Sequence, residues 1–597
     1  MRSKTNNNDL LHKNIDSKYI VLYQLWTELT DSRTLDSYQY RVMNSLSAIR
    51  ELVEVLNNRL NRIHTTNHNI NECKIEALEI IKADTVLKKY YSTYWNILIS
   101  HLGTSSETDA QQRALRYQLD YIYNQIAVDY FDKLVDELEE SLNLNDIDKI
   151  VENANRVISN LVNRGWSSKA LYNFVDILVD SKNDSNKWLQ FKEKLTKKQP
   201  DEYHVLIPLK VRITAKNVTH ESVVKRLEEN IKSLGINLIG IDQMKNDYSY
   251  INGYSIDTKY IDILITAFDF YSASHLALSK YANILNMFSF YNVIEAWSIK
   301  DIGWLAVNSN IQKYKKMTSK DLYGTYGYLE GASKSLRKSL VIAREEGILK
   351  ARLNATYCYA NMSKASYAIE EKYMNMWVAL ESLCRSDVYE NIISNVLETI
   401  PAAICNRYEY KKYRNFAEDC TRCGIDFKFS THDYQINNPD KHQLVKDLLG
   451  IFKDPQLFTE LLDKCKINSL LTYRCEKLHK LAINNDEMVN DIKCHYKRVR
   501  QQLSRLYRIR NSIAHTAALE DVQIVRYIEH LENYLSEFVA EIVRKTDENK
   551  IDQIEVSFEM IKDNYRLFVD LVDGKKKNGK YLVLENGLFC TGTIDLL

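Results

Sequence analysis

Near its carboxyl-terminal end the chain carries the segment RIRNSIAHT, which contains Arg510, Asn511 and His515. A guanidinium group can stabilise charge on a phosphate, and an imidazole can take up or release a proton near neutral pH. A neighbouring carboxamide can orient either group by hydrogen bonding. These residue types in one short helical segment suit phosphate chemistry. The alternative interpretation is an ordinary polar patch on a helix surface.

The spacing of the arginine and the histidine is a weak signal by itself. An arginine followed five residues later by a histidine occurs three times in the chain, in RLNRIH, RCEKLH and RNSIAH. Only in the third copy does an asparagine follow the arginine, which gives the pattern R-N-x-x-x-H. The surrounding sequence therefore has to distinguish this copy from the other two.

The helix around Arg510 has an apolar stripe that steps by four and three residues, as a core-facing stripe does. Its members are Val499, Leu503, Leu506, Arg510, Ile513 and Ala517. Arg510 thus occupies a position that should face the core. Because an unpaired guanidinium is costly to remove from water, we expect an anion or several acceptors beside it.

A second stripe of the same helix is polar and basic. It consists of Arg498, Gln501, Arg505, Arg508, Ser512 and His515. Asn511 lies about one turn before His515, so these two side chains can meet. We expect the basic stripe to lower the pKa of His515 towards or below its usual value of about 6.5, which would favour a neutral imidazole able to act as a base. The residues alone favour this site and a solvated basic face about equally.

The segment RNSIAH resembles the R-N-x-x-x-H signature of HEPN domains, and LYRIRNSIAHTA is similar to the second motif helix of the Apea-like branch of that family. Upstream, YMNMWVALESL is similar to the first motif helix of that branch. The recurring tryptophan and Leu-Glu pair correspond here to Trp377, Leu380 and Glu381. The resemblance covers about 350–550 and rests on these two short segments.

The resemblance implies a helical domain that dimerises through its motif helices and cleaves RNA without a metal or other cofactor. His515 would activate the ribose 2′-hydroxyl or protonate the leaving oxygen, Arg510 would stabilise the phosphate, and Asn511 would orient either group. Glu381 would hold Arg510 or His515 in place. RNA would also be bound by the basic stripe, through Arg498, Arg505 and Arg508.

Dimerisation also fits helix geometry. At 100° per residue, Arg510 and His515 point about 140° apart, so two helices meeting across a two-fold axis could pair the arginine of one chain with the histidine of the other. The resemblance further implies a role in anti-phage defence or as a toxin, with RNA as substrate, a homodimer or higher oligomer, and a phage-derived trigger as a further partner. The competing hypothesis is a non-catalytic HEPN-like module for dimerisation or nucleic-acid binding.

The remaining chain must position this segment, and its pattern predicts a mainly α protein. Residues 1–200 should form a helical domain, with N-caps at Asn145 and Ser167. Residues 201–320 should form a small α+β domain with the order β-α-β-β-α-β. The HEPN-like helices should occupy 321–573, interrupted by a polar, aromatic insert near 408–441. The last stretch, 574–597, predicts a β-hairpin tail turning at Asn586 and Gly587.

Composition excludes several classes of protein. The 80 Lys and Arg balance 79 Asp and Glu, so overall charge does not indicate nucleic acid. No apolar run approaches the length of a membrane span, and scattered cysteines do not suggest a disulfide framework, so we expect a cytoplasmic protein. The sequence lacks the motifs of nucleotide hydrolases, esterases and zinc proteases. Cys420 and Cys423 could contribute to a zinc site, although independent surface thiols are the favoured interpretation.

Overall fold

The structure is a computed structural model. It describes residues 15–62, 67–104, 106, 108–180, 187–209, 236–251, 259–290, 303–323, 347–386, 388–389, 391–436, 441–516, 523–549 and 553–573, together with isolated positions at 10, 225, 228, 229, 232, 339 and 342. The predicted fold class is confirmed, because the protein is mainly helical and has one small antiparallel sheet in its middle part.

Helices form the amino-terminal part, as the apolar periodicity predicts. They are α1 Ser17–Thr30, α2 Ser45–Leu60, α3 Asn67–Lys82, α4 Thr85–Tyr90, α5 Ser92–Gly103, α6 Asp109–Ile126, α7 Tyr130–Asn143, α8 Ile147–Asn163, α9 Ser168–Phe174 and α10 Lys187–Leu195. Ser167 caps α9, since its side chain accepts a hydrogen bond from the Ala170 amide. The predicted cap at Asn145 is wrong by one residue. Asp146 caps α8, and Asn145 adopts a left-handed backbone conformation just before it.

The middle part contains a five-stranded antiparallel sheet. Its elements are β1 Asp201–Leu209, β2 Asn237–Ile239, α11 Ile241–Asp247, β3 Lys259–Ala267, α12 Phe270–Phe290, β4 Trp304–Asn308, β5 Lys313–Met317 and α13 Ser319–Tyr323. The strand order is β2-β3-β1-β4-β5, so the strands of the two predicted β-α-β halves alternate across the sheet. β5 is an edge strand that the sequence did not predict. The helix predicted between the first two strands of this part lies mostly outside the described residues.

The carboxyl-terminal part is helical again. It comprises α14 Ile348–Ala365, α15 Ile369–Cys384, α16 Ile392–Cys405, α17 Tyr408–Arg422, a small hairpin of β6 Phe427–Lys428 and β7 Asp433–Tyr434, α18 Lys441–Lys453, α19 Pro455–Cys465, α20 Ser469–Ile483, α21 Asn485–Thr516, α22 Gln523–Asn549 and α23 Ile554–Val572. The predicted hairpin tail at 574–597 lies outside the described residues.

The interpretation of 408–441 as a polar insert needs correction. Its first half is helix α17, which buries Tyr413, Phe416 and Cys420 in the core. The many tyrosine and lysine residues of this segment made it look polar, although its aromatic residues recur at helical spacing. Only the short hairpin β6–β7 and its flanking residues correspond to an irregular insertion.

One hydrophobic cluster contains residues from all three parts of the chain. The amino-terminal helix α1 packs against α20 of the carboxyl-terminal part, and a second contact joins the basic face of α21 to α2 and α3. The long helix α21 is therefore covered by helices that lie more than 400 residues away in the sequence. Among the described residues, no helix is long and apolar enough to cross a membrane.

Candidate active site on helix α21

Helix α21 carries the R-N-x-x-x-H segment in its last two turns. Its apolar stripe is buried as predicted, because Val499, Leu503 and Leu506 have almost no exposed surface. Arg510 continues this stripe at the point where the core ends, and 29% of its side chain is exposed. The guanidinium is thus held against the core at one edge and open to solvent at the other. Ala517, the last predicted member of the stripe, lies outside the described residues.

Two acceptors lie beside Arg510. Its Nη1 donates a hydrogen bond to Oδ1 of Asn511 at 3.1 Å, and its Nη2 lies 3.7 Å from Oε2 of Glu381. The Nε atom of Arg510 is buried and has no partner among the described residues. The arginine therefore has a fixed orientation, an incompletely satisfied donor and a loosely paired charge. An oxyanion at the exposed edge could bind the remaining Nη donors.

Glu381 comes from α15, which packs directly against α21. Its Oε1 accepts a hydrogen bond from the Trp377 indole at 2.7 Å, while Oε2 faces Arg510. The Tyr373 hydroxyl donates to the Leu506 carbonyl at 2.5 Å, and the rings of Trp377 and Tyr507 lie 5.8 Å apart. The two segments that carry the family resemblance are thus brought together in space, with Glu381 linking the indole of one to the guanidinium of the other.

His515 lies in the last turn of α21, and its side chain is outside the described residues. On a regular helix its position is about 7.5 Å along the axis from Arg510 and about 140° around it. Arg510, Asn511 and Glu381 form a contiguous group in the structure. The participation of His515 in that group remains a prediction.

The basic stripe differs from the accessible phosphate-binding surface that the sequence suggested. Arg505 is buried, with its Nε at 3.2 Å from both carboxylate oxygens of Glu51 and its Nη2 at 2.6 Å from Glu76. Arg508 donates from Nη2 to Glu51 at 2.7 Å and from Nη1 to the Ser504 hydroxyl at 3.0 Å. In this conformation Arg505 and Arg508 are neutralised by the amino-terminal helices, so an RNA phosphate has no access to Arg505 and little to Arg508.

The pKa shifts of this network show strong pairing. Burial by itself raises the pKa of Glu51, but the charges of Arg505 and Arg508 outweigh it and hold the pKa at about 2. Burial also opposes the charged form of both arginines, and the facing carboxylates more than compensate, so that the pKa of each lies above its ordinary value. The positive charges of Arg505 and Arg508 are therefore compensated within the fold.

Arg498, the third predicted RNA-binding arginine, is exposed on the same helix. It lies near Arg41, whose pKa falls to about 10 because of burial first and the charge of Arg498 second. Arg498 is thus the only one of the three predicted RNA-binding arginines that is open to solvent here.

The other described copy of the arginine-histidine spacing has a structural role. Arg474 is buried between Asp419, at 2.6 Å, and Glu28 of α1. The His479 ring stacks on Phe458 with centroids 3.6 Å apart, and its Nδ1 lies 2.9 Å from the Phe452 carbonyl oxygen. The remaining copy, RLNRIH, ends in a residue outside the described part of the chain. Tertiary context therefore separates RNSIAH from RCEKLH, which spacing alone could not do.

The predicted thiol pair does not indicate a metal centre. The predicted surface position of these thiols is wrong, because Cys420 and Cys423 are both buried in the hydrophobic cluster at the end of α17. Cys420 is close enough to interact with Cys465. Within the described ranges, no group of three or more His, Cys, Asp or Glu side chains is arranged to hold a metal ion. Burial raises the pKa of the Cys420 thiol, which fits a packed, unreactive cysteine.

Sequence reasoning missed the acidic partners of α21. Glu72, Glu76 and Glu79 recur at spacings of four and three in NECKIEALEII, which places them on one face of α3. This row was a readable signal, although nothing in the sequence says which surface it meets. Comparisons with protein-family models, curated proteins and solved structures give no match for this chain.

Proposed function

We propose that this chain is a metal-independent endoribonuclease of the HEPN type. The observation that carries the proposal is the oriented, partly exposed Arg510, which lies between Asn511 and Glu381 and five residues before His515 in the same helix. The resemblance of both motif segments to HEPN domains supports the same conclusion. In line with that family, we further propose a role as an effector of anti-phage defence or growth arrest.

The proposed reaction is an attack of the ribose 2′-oxygen on the adjacent phosphorus. His515 takes the proton from the 2′-hydroxyl, and a bond forms between that oxygen and phosphorus. The bond from phosphorus to the 5′-oxygen breaks with its electron pair on that oxygen, which takes a proton from water. The imidazolium of His515 then returns its proton to the hydroxide that is left. The products are a 2′,3′-cyclic phosphate and a 5′-hydroxyl. Arg510 stabilises the charge on the phosphate oxygens during the transfer.

In this scheme Glu381 acts as a positioning residue. It touches Arg510 and the Trp377 indole, and neither contact involves the reacting atoms. At 3.7 Å the carboxylate orients the guanidinium without saturating it, so donors remain for the substrate. Asn511 has a related role, because its side-chain oxygen accepts a hydrogen bond from Arg510.

The proposed active form is a dimer. Arg510 and His515 diverge by about 140° on one helix, so a single α21 presents them towards different directions. Two such helices related by a two-fold axis could place the arginine of one chain and the histidine of the other on the same phosphate.

The test compares the wild-type chain with Arg510→Ala and His515→Ala on total cellular RNA in the presence of EDTA, with mapping of the ends that form. We expect cyclic-phosphate ends from the wild type, and their loss in both variants. His432→Ala is the matched control, because His432 is exposed on the small hairpin β6–β7. Cleavage that persists in the Arg510 and His515 variants would contradict the proposal.

The alternative function is a non-catalytic HEPN-like module for dimerisation or nucleic-acid binding. The observation that favours it is the pairing of Arg505 and Arg508 with Glu51 and Glu76, since two predicted RNA contacts already have partners. Intact RNA with all proteins, together with a stable dimer in sedimentation, would support this alternative.

A further inference from the structure

A row of carboxylates lies along the basic face of α21. We define the acidic row as Glu51 of α2 with Glu72, Glu76 and Glu79 of α3, and the basic row as Lys497, Arg500, Arg505 and Arg508 of α21. Every member of one row is ion-paired with a member of the other. The basic row extends about 16 Å along the helix and leads directly to the R-N-x-x-x-H segment.

The exposure of the paired side chains falls from the end of the basic row at Lys497, here called the rim, to its centre at Arg505. At the rim, Lys497 pairs with Glu79, and Arg500 Nη1 lies 3.1 Å from Glu72; these side chains are partly exposed. At the centre, only 4% of the Arg505 side chain is exposed, and two carboxylates meet it. The two rows therefore form a partly buried interface between α21 and the helices α2 and α3. They are not only a set of surface ion pairs.

The acidic row presents to α21 the same chemistry as a nucleic-acid backbone. Both offer a line of anionic oxygens that accept charge-assisted hydrogen bonds from arginine and lysine. The same four cations would accept RNA phosphates if α2 and α3 moved away.

We propose that the acidic row is an intramolecular cover that occupies the RNA-binding face of α21 until α2 and α3 are displaced. This inference rests on the proposed function for its biological meaning, because it supplies the restraint that a toxic ribonuclease needs. The binding claim itself does not require catalysis. In the covered state the chain binds RNA weakly, and in the uncovered state four further cations neutralise phosphates.

The test measures binding of a fluorescent 2′-O-methyl oligouridine, which cannot undergo attack by the 2′-oxygen, to the full chain in a His515→Ala background. Neutralising the rim with Glu72→Gln and Glu79→Gln should uncover two cations and leave the buried centre intact. For a single strand, the slope of log affinity against log salt should steepen by about 0.7 per added phosphate contact, or about 1.4 for the pair. Adding Glu51→Gln and Glu76→Gln should double that change.

Asp136→Asn with Glu139→Gln is the matched control. These carboxylates lie on α7 of the same amino-terminal part and pair with Lys192, away from α21. The control removes the same number of charges as the rim variant and should leave the slope within about 0.7 of wild type, the contribution of one contact. Adding Lys497→Ala and Arg500→Ala to the rim variant should abolish its gain.

Two results would overturn the inference. One is a folded rim variant whose affinity and salt slope equal those of the wild type. The other is a wild-type slope as steep as that of the variant, since the cations would then be accessible already. If the four-carboxylate variant unfolds, the rim variant still decides the question. A gain in binding by the rim variant, without any cleavage of natural RNA when His515 is restored in that variant, would uphold the cover and reject the nuclease.

Discussion

Oε2 of Glu381 lies 3.7 Å from Nη2 of Arg510, at the junction of α15 and α21. This distance is short enough to orient the guanidinium and long enough to leave it available to a substrate. The contact joins the two segments whose sequences resemble HEPN motif helices. A substitution of Glu381 therefore tests the proposed active site without removing a group that takes part in the reaction.

The first prediction concerns that contact. Glu381→Gln keeps an acceptor for the Trp377 indole but removes the charge that faces Arg510. We expect the rate of RNA cleavage to fall roughly five-fold, corresponding to about 1 kcal/mol for a partly exposed pair. Single-turnover kinetics should place the loss in kcat with KM nearly unchanged. Glu371→Gln on the same helix, where the carboxylate accepts from Asn286, is the control and should cleave at the wild-type rate.

The second prediction concerns the shared site. In a mixture of Arg510→Ala and His515→Ala chains, each mixed dimer should contain one complete site made from the intact arginine of one chain and the intact histidine of the other. Random pairing would restore about a quarter of wild-type cleavage, because half of the dimers are mixed and each has one site of two. If mixing restores nothing over either variant alone, the site belongs to a single chain.

The third prediction concerns the stability of the covered state. Arg505→Met removes the buried guanidinium and leaves Glu76 without its partner, so we expect the free energy of unfolding to fall by roughly 3–5 kcal/mol. Lys497→Met removes an ion pair whose side chains are about half exposed, and should cost about 1 kcal/mol or less. Urea unfolding followed by tryptophan fluorescence measures both. Equal, small effects would show that the central pairs contribute little.

The fourth prediction concerns acid. His495 is buried with its ring stacked on Tyr408 at 3.9 Å, and burial, with a smaller contribution from Arg498, lowers its pKa to about 4 against the opposing charge of Asp36. The unfolded chain therefore binds this proton first, near pH 6.5, and stability falls as the pH drops from there towards 4. Between pH 7 and pH 5 this histidine should account for about 2 kcal/mol of lost stability.

His495→Phe isolates that contribution, because phenylalanine preserves the stacking on Tyr408 and cannot titrate. The difference in urea midpoint between pH 7 and pH 5 should be smaller for the variant than for the wild type. His275 and His530, whose pKa values are also lowered by burial, act in the same direction in both proteins and cancel in the comparison. An identical pH dependence would mean that the pKa of His495 is the same in the folded and the unfolded chain.

The pattern of apolar and polar residues along the chain was sufficient to predict much of the architecture. The apolar stripe of α21 is buried because a residue at every third or fourth position must face one side of a helix, whatever it packs against. The same reasoning predicted the cap at Ser167 and four of the five strands of the middle sheet. It failed for α17, where frequent lysine and tyrosine residues concealed a buried aromatic face.

By itself, the sequence determined that Arg510, Asn511 and His515 share one helix and that a basic row precedes them. Only the tertiary structure decided what that row meets. Arg505 and Glu76 are 429 residues apart, and an arginine on a helix has the same local signature whether water, RNA or a carboxylate faces it. The partner depends on how distant helices pack, because long-range contacts are selected by the sum of burial and charge over whole surfaces and not by the residues nearest in sequence.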